Sequence, residues 1–83
     1  MRIDVFLKKS RLIKRRVIAQ EACTKGLIMI NDKVVKQSAN VSLEDTITLT
    51  LGNKEIIVKV TSLLVNKDAL MYELINEKYL GQN

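Results

Sequence analysis

Lys8-Lys9-Ser10-Arg11-Leu12-Ile13-Lys14-Arg15-Arg16 places six basic residues in nine positions, with Leu12 and Ile13 as an apolar pair inside the run. Three of the six are arginine, whose planar fork suits phosphate oxygens better than the point charge of lysine. A charge run by itself is ordinarily a solvated face. This one lies between two short amphipathic helical patterns, which holds its charges on a folded surface rather than in a loose basic tail.

On its N-terminal side, Arg2 to Lys9 reads as a helix whose buried stripe is Ile3, Phe6 and Leu7, spaced i, i+3, i+4. Asp4 and Lys8 form an (i, i+4) pair on the expected polar side, and Arg2 falls on the flank near Lys9. Ser10 to Ile13 connects this helix to the next, with Leu12 and Ile13 tucking inward. Lys14 to Lys25 reads as the second helix, with Ile18, Ala19, Ala22 and Cys23 as its apolar stripe. Gly26 then stands where a left-handed cap residue is expected, preceded by Lys25 in the last turn, where a cation is favourable. Cys23 completes the stripe and reads as a small core residue rather than a nucleophile.

From Leu27 the period changes to that of strands. Leu27–Ile30 and Lys33–Val35 flank Asn31-Asp32, a two-residue hairpin turn. Lys36 to Asn40 is polar loop. Thr46 to Leu51 alternates strictly, with Ile47, Leu49 and Leu51 on the core face and the threonines outward. Glu55 to Thr61 follows with Ile56, Val58 and Val60 in phase. Gly52-Asn53 is the turn between them; an even-numbered loop sets the two apolar rows on one face, whereas a loop of three would oppose them to Glu55, Ile57 and Lys59. The tail fits a helix through Leu70, Met71, Leu74 and Ile75, or a closing strand over Met71–Ile75. The preferred reading is a helical turn at Lys67–Leu70 followed by a strand, with Leu80–Asn83 frayed. The class is therefore α+β, two short N-terminal helices on a small, mainly antiparallel sheet.

The 83 residues make one domain, 1–83, with no room for a second core. Within it, residues 1–51 form the core motif and residues 46–83 a C-terminal hairpin and tail. The chain is 47% hydrophobic and 28% charged, away from the disordered class. No apolar run approaches the roughly 18 residues of a membrane span, no signal-peptide pattern opens the chain, and one cysteine cannot form an internal disulfide; a cytoplasmic protein with no membrane partner is expected. Charge distribution says more than the net charge of +5. Residues 1–25 carry eight basic and two acidic side chains, while the remaining 58 residues carry six basic and seven acidic ones. Such asymmetry points to a polyanionic partner met by one end of the fold.

Several chemistries are closed. Without histidine there is no histidine base or zinc ligand, and one cysteine excludes a CxxC site. The three glycines form no phosphate-cradling loop. Glu44-Asp45 and Asp68/Glu73 read as solvated turn and surface residues. No active site, metal or cofactor is expected. Phe6, Tyr72 and Tyr79 are the only aromatics, with Phe6 in the core, so the basic face lacks stacking platforms and should read phosphate backbone and helix shape.

Met1–Arg16, Ala19 and Ala22, Lys25–Asn31 and Lys33-Val34, in this order, resemble the S4 RNA-binding domain, in which two short helices and a hairpin present a basic surface to structured RNA. The length, the run Ser10–Arg16 and the Met71-Tyr72 tail resemble a narrower group, the stand-alone RqcP-like bacterial proteins, relatives of a heat-shock protein that binds free large ribosomal subunits. The resemblance implies binding to rRNA of a large subunit obstructed by peptidyl-tRNA. The protein would act as a monomer beside RqcH, holding P-site tRNA while a C-terminal tail is added to the stalled chain. By motif position Arg2 and Arg16 would be the principal RNA contacts. Lys8, Lys9, Arg11, Lys14 and Arg15 would join them from the junction, and Lys25, Lys33 and Lys36 from the second helix and hairpin. Both principal arginines read as exposed and dispensable for folding. Asp32, where glycine is usual, and Leu43-Glu44-Asp45, where Pro-Gly-Asp or Gly-Asp is common, depart from the family and put carboxylates in turns. Two other readings compete: a module detached from an RNA-modifying enzyme, against which the methionine start and full tail argue, and a basic module for an acidic protein partner.

Overall fold

The computed structural model describes residues 1–65 and 69–81. Helix α1 (Ile3–Lys9) buries Ile3, Phe6 and Leu7 completely, the stripe their spacing predicts. Its first turn is stitched to a distant segment. Ile3 N–H donates to the Ala39 carbonyl at 2.7 Å, Val41 N–H donates to the Met1 carbonyl at 2.8 Å, and Arg2 forms a bridge with Asn40. The expected polar loop after the hairpin is thus the partner that satisfies the start of α1.

Helix α1 stops at Ser10, which is buried. Its hydroxyl donates to the Leu7 carbonyl at 3.2 Å and accepts from Leu12 N–H at 3.4 Å. Arg11 follows with φ +67°, and Ile13 turns into the core at 5% exposure while Leu12 stays half-buried.

Helix α2 spans Arg16–Thr24, beginning two residues later than expected. Arg15 is extended instead, at φ −124° and ψ 139°. A helix begun at Lys14 would stack three cations on the positive end of its own dipole. The buried seam is Ala19, Ala22 and Cys23; Ile18, expected within it, is 47% exposed. On a helical wheel Ile18 lies about 90° from the centre of that seam. Gly26 caps α2 as expected, at φ +74°, with its own N–H on the Cys23 carbonyl at 3.0 Å and Leu27 N–H on the Ala22 carbonyl at 2.9 Å. This is a Schellman closure.

Five strands follow: β1 (Ile28–Ile30), β2 (Lys33–Val34), β3 (Thr46–Leu51), β4 (Lys54–Val60) and β5 (Tyr72–Tyr79). They form one antiparallel sheet in the order β2-β1-β3-β4-β5. The α+β class is as expected. Asn31 and Asp32 both take positive φ, 51° and 68°, the pattern of a type I′ hairpin. Asn31 also donates to Asp45 at 3.1 Å and accepts from Thr46 N–H at 2.9 Å, tying the hairpin to the start of β3.

The two-residue turn at Gly52-Asn53 sets Ile47 opposite Val58 and Leu49 opposite Ile56, the predicted parity. Thr48 departs from expectation. It lies on the outer face yet is 4% exposed, flanked in register by Met29 and Ile57. Residues 72–79 are the closing strand, with Ile75 as the extra residue at an irregularity opposite Ile57/Val58. The expected helical turn at Lys67–Leu70 falls partly outside the described residues; Ala69 and Leu70 are not helical. Of the tail expected to fray, Gln82 and Asn83 lie outside the described residues, while Leu80 N–H is bonded to the Asn53 carbonyl.

Phe6, Ile3 and Leu7 share one core with Ile28, Ile47, Leu49, Val58 and Val60, joined by Val41 and Met71. Ile47→Ser and Val58→Ser are therefore expected to cost on the order of 2–5 kcal/mol each, through lost packing and an unpaired hydroxyl. That is most of what so small a domain has. Thr48→Ser removes one buried methyl and should cost about 1 kcal/mol. Thermal melts of the three variants check the strand phase, which equal losses would contradict.

Candidate nucleic-acid interface

Lys8 and Lys9 leave the last turn of α1, Arg11 sits on the left-handed corner after it, and Lys14 precedes α2. These four side chains, with Val65 from the segment after β4, line one open cleft of ≈ 470 Å³. All four cations are exposed, and no carboxylate is among the described lining residues. The junction can present them because Ser10 and Ile13 anchor it from below. Ser10, still in the right-handed helical region, brings Arg11 N–H onto the Lys8 carbonyl at 3.1 Å, and the left-handed φ of Arg11 then turns the chain sharply.

A second cationic group is built differently. Asp4, expected on the polar side of α1 beside Lys8, is fully buried where α1 faces α2. Its Oδ1 accepts from Arg2 Nε at 3.1 Å and from Val5 N–H at 2.8 Å. Its Oδ2 accepts from Arg2 Nη2 at 3.1 Å, Arg16 Nε at 3.3 Å and Gln20 Nε2 at 3.1 Å. Burial pushes the Asp4 carboxyl up, but the hydrogen bonds from Gln20 and Arg16, the charge of Arg2 and Val5 N–H together outweigh it and hold it below the usual carboxylate value. The stabilisation this adds is complete above the unfolded carboxyl pKa and is lost as pH falls through the lower folded one.

Arg2 and Arg16 are half-exposed, at 41% and 50% of their side chains. They are thus on the surface as expected, and they are also structural, which was not. Each has donors left over. Among the described residues nothing engages Nη1 of Arg2 or Nη1 and Nη2 of Arg16.

The remaining predicted cations are spread out. Arg15 is exposed at the start of α2, Lys25 is exposed at its C-cap, and Lys33 is exposed on β2. Lys36 lies at a separate groove of ≈ 550 Å³ between the end of α2 and the hairpin, lined also by Thr24, Gly26, Val34, Val35 and Gln37. Cys23 touches that groove but is 4% exposed, and burial pushes its thiol up, with the Asp4 charge adding to the shift. Its place in the core is as expected. Among the described residues, no group of three His, Cys, Asp or Glu could hold a metal ion, and no helix is long and apolar enough to cross a membrane.

Sequence reasoning missed Asp4, Gln20 and Val65. A signal for Asp4 was available: on the wheel it lies only about 60° from Leu7, beside the buried stripe. The Asp4–Lys8 spacing concealed it. Gln20 and Val65 carried no signal, because each joins the site through a contact across the fold.

Residues 1–47 match the S4 domain family. The RQC P-site tRNA stabilizing factor of Streptococcus pneumoniae is 39% identical, covering 100% of this chain and 99% of that protein. The factor of the same name from Bacillus subtilis is 42% identical, covering 99% of this chain and 100% of that one. Among solved structures, trimeric Heat Shock Protein 15 of Vibrio cholerae superposes with a TM-score of 0.81 at 22% identity, over 90% of this chain and 81% of that chain; that likeness speaks for the fold. Helices, basic junction and hairpin all lie within the matched residues, and the chain belongs to the S4 domain family, with RQC P-site tRNA stabilizing factors similar to it along its full length.

Proposed function

We propose that this protein is a non-enzymatic RNA-binding factor of the cytoplasm that binds rRNA of the large ribosomal subunit together with tRNA. It acts as a monomer, beside RqcH, in quality control of subunits obstructed by peptidyl-tRNA, stabilising P-site tRNA while a C-terminal tail is added. The whole chain 1–83 works as one unit, with the RNA-contacting residues in the 1–51 motif. The observation that carries this is the cleft of Lys8, Lys9, Arg11 and Lys14, four cations with no carboxylate among the described lining residues. The names of the full-length relatives support the same reading. A pull-down with tagged protein tests it: large subunits carrying peptidyl-tRNA should be recovered and full ribosomes should not.

Arg11 ties this reading to backbone geometry. A left-handed residue after a helix is ordinarily glycine, and an L side chain there costs on the order of 1–2 kcal/mol. Keeping arginine makes sense where its side chain is used.

Binding to large subunits should weaken with salt, log K against log salt falling at about 0.7 to 0.9 per phosphate contact, or about 4 in all for five contacts; filter binding measures the slope, and a flat line would exclude phosphate reading. Arg11→Gly should raise the melting temperature by a few degrees while lowering affinity several-fold, since it relieves the backbone and removes a phosphate contact. Arg2→Ala and Arg16→Ala should each lower affinity at least about tenfold. Each should also lower stability by about 1–3 kcal/mol by stripping donors from buried Asp4, discounted for the half-exposure of the arginines. Lys78→Ala, on β5, should leave binding unchanged in co-sedimentation.

A further inference from the structure

Asp4 puts a negative charge under a surface that must attract polyanions. By charge alone it weakens that surface, and a seven-residue helix gains little from a single acid in its first turn. The geometry assigns it a compensating part: we infer that Asp4 is the positioning residue of the RNA-contacting arginines, holding Arg2 and Arg16 as a preformed pair whose outer edges take phosphate oxygens. This rests on the RNA-binding reading above.

Arg2 Nη2 and Arg16 Nε touch the same oxygen, Asp4 Oδ2, at 3.1 and 3.3 Å. Two guanidinium groups so close repel each other unless a carboxylate lies between them, and Oδ2 is that counter-charge. Attachment is through the inner edges: Nε and Nη2 for Arg2, Nε for Arg16. Among the described residues that leaves the Nη1 side of Arg2 and the Nη1/Nη2 end of Arg16 without a partner, the geometry for end-on, two-toothed capture of phosphate oxygens. The carboxylate is itself immobile, because Val5 N–H and Gln20 Nε2 fix it from its other sides. Arginine normally gives up much rotamer freedom on binding; here most of it is lost on folding, so less is lost when RNA arrives.

The test turns on a sign. Asp4→Asn raises the net charge, so an electrostatic liability relieved should bind large ribosomal subunits more tightly. Positioning predicts affinity at least about fivefold lower, despite the extra positive charge. In an Arg2→Ala/Arg16→Ala background, Asp4→Asn should cause no further loss, whereas a merely structural aspartate would weaken binding in both backgrounds alike.

A measurement on the unaltered protein stands beside these in case Asp4→Asn does not fold. In the free protein the Arg2 and Arg16 Nε–H groups should give rigid, slowly exchanging NMR signals while those of Arg11 and Arg15 are mobile. Equal mobility of all four, or tighter binding by folded Asp4→Asn, would overturn the inference. If instead Arg2→Ala and Arg16→Ala bind subunits like the unaltered protein, it is the RNA-binding reading of these arginines that fails.

Discussion

The contact on which the rest of this structure depends is the Asp4 carboxylate, buried between two helices too short to stand alone. Helices of seven and nine residues lie below the length at which isolated helices persist in water. Their apolar seam is also thin, because α2 contributes only Ala19, Ala22 and Cys23 to it. A small-residue seam lets the helices approach closely, and close approach puts Asp4 within reach of Arg16 and Gln20. Taking a carboxylate out of water is expensive unless every lone pair finds a donor, and here five N–H groups from Arg2, Val5, Arg16 and Gln20 supply them. The same donors make the folding of the helix pair and the shape of its cationic surface one event.

Besides Gly26 and Gly52, several bends of the chain are made by residues other than glycine. Arg11, Asn31, Asp32 and Glu44 all hold positive φ. At Asn31-Asp32 a type I′ hairpin forms without glycine, because Asx side chains tolerate that region better than most. Glu44 is held by its N–H on the Val60 carbonyl at 2.9 Å and an ion pair to Lys59 at 2.8 Å. These two carboxylates therefore belong to turns. Arg11 differs in kind. No side-chain contact among the described residues compensates its backbone, and its side chain lines the basic cleft.

Two cationic groups of unlike physics result. The cleft of Lys8, Lys9, Arg11 and Lys14 has no carboxylate among its described lining residues, a positive field that favours anions without fixing their orientation. Arg2 and Arg16 are paired and fixed, suited to a set geometry more than to long-range attraction. Neither group is built around an aromatic: Tyr72 packs against the core. Phe6 is fully buried, and Tyr79 lies on β5 at the far edge of the sheet. A surface of this kind is suited to the spacing of phosphates along structured RNA, the use proposed for it above.

Much of this was legible in the chain because it depends on local periodicity. The stripe Ile3/Phe6/Leu7, the Gly26 cap, the Asn31-Asp32 turn and the parity across Gly52-Asn53 are set by residues within a few positions of one another, and so was the basic run itself. What periodicity misjudged was decided by contacts at long range. The burial of Thr48 comes from Met29 and Ile57 on neighbouring strands, and Ile18 is exposed because the helix pair meets along Ala19, Ala22 and Cys23. The anchoring of Leu80 depends on Asn53. Asp4 is the sharpest case, since its nearest opposite charge in helical spacing is Lys8, and that pairing is the sound local inference. Sequence alone determined which residues carry positive charge and on which elements. Which of them stand free and which are bound to a buried carboxylate was decided only by tertiary structure, because burial depends on what packs above a residue, and Gln20 and Arg16 arrive over Asp4 from sixteen and twelve residues away.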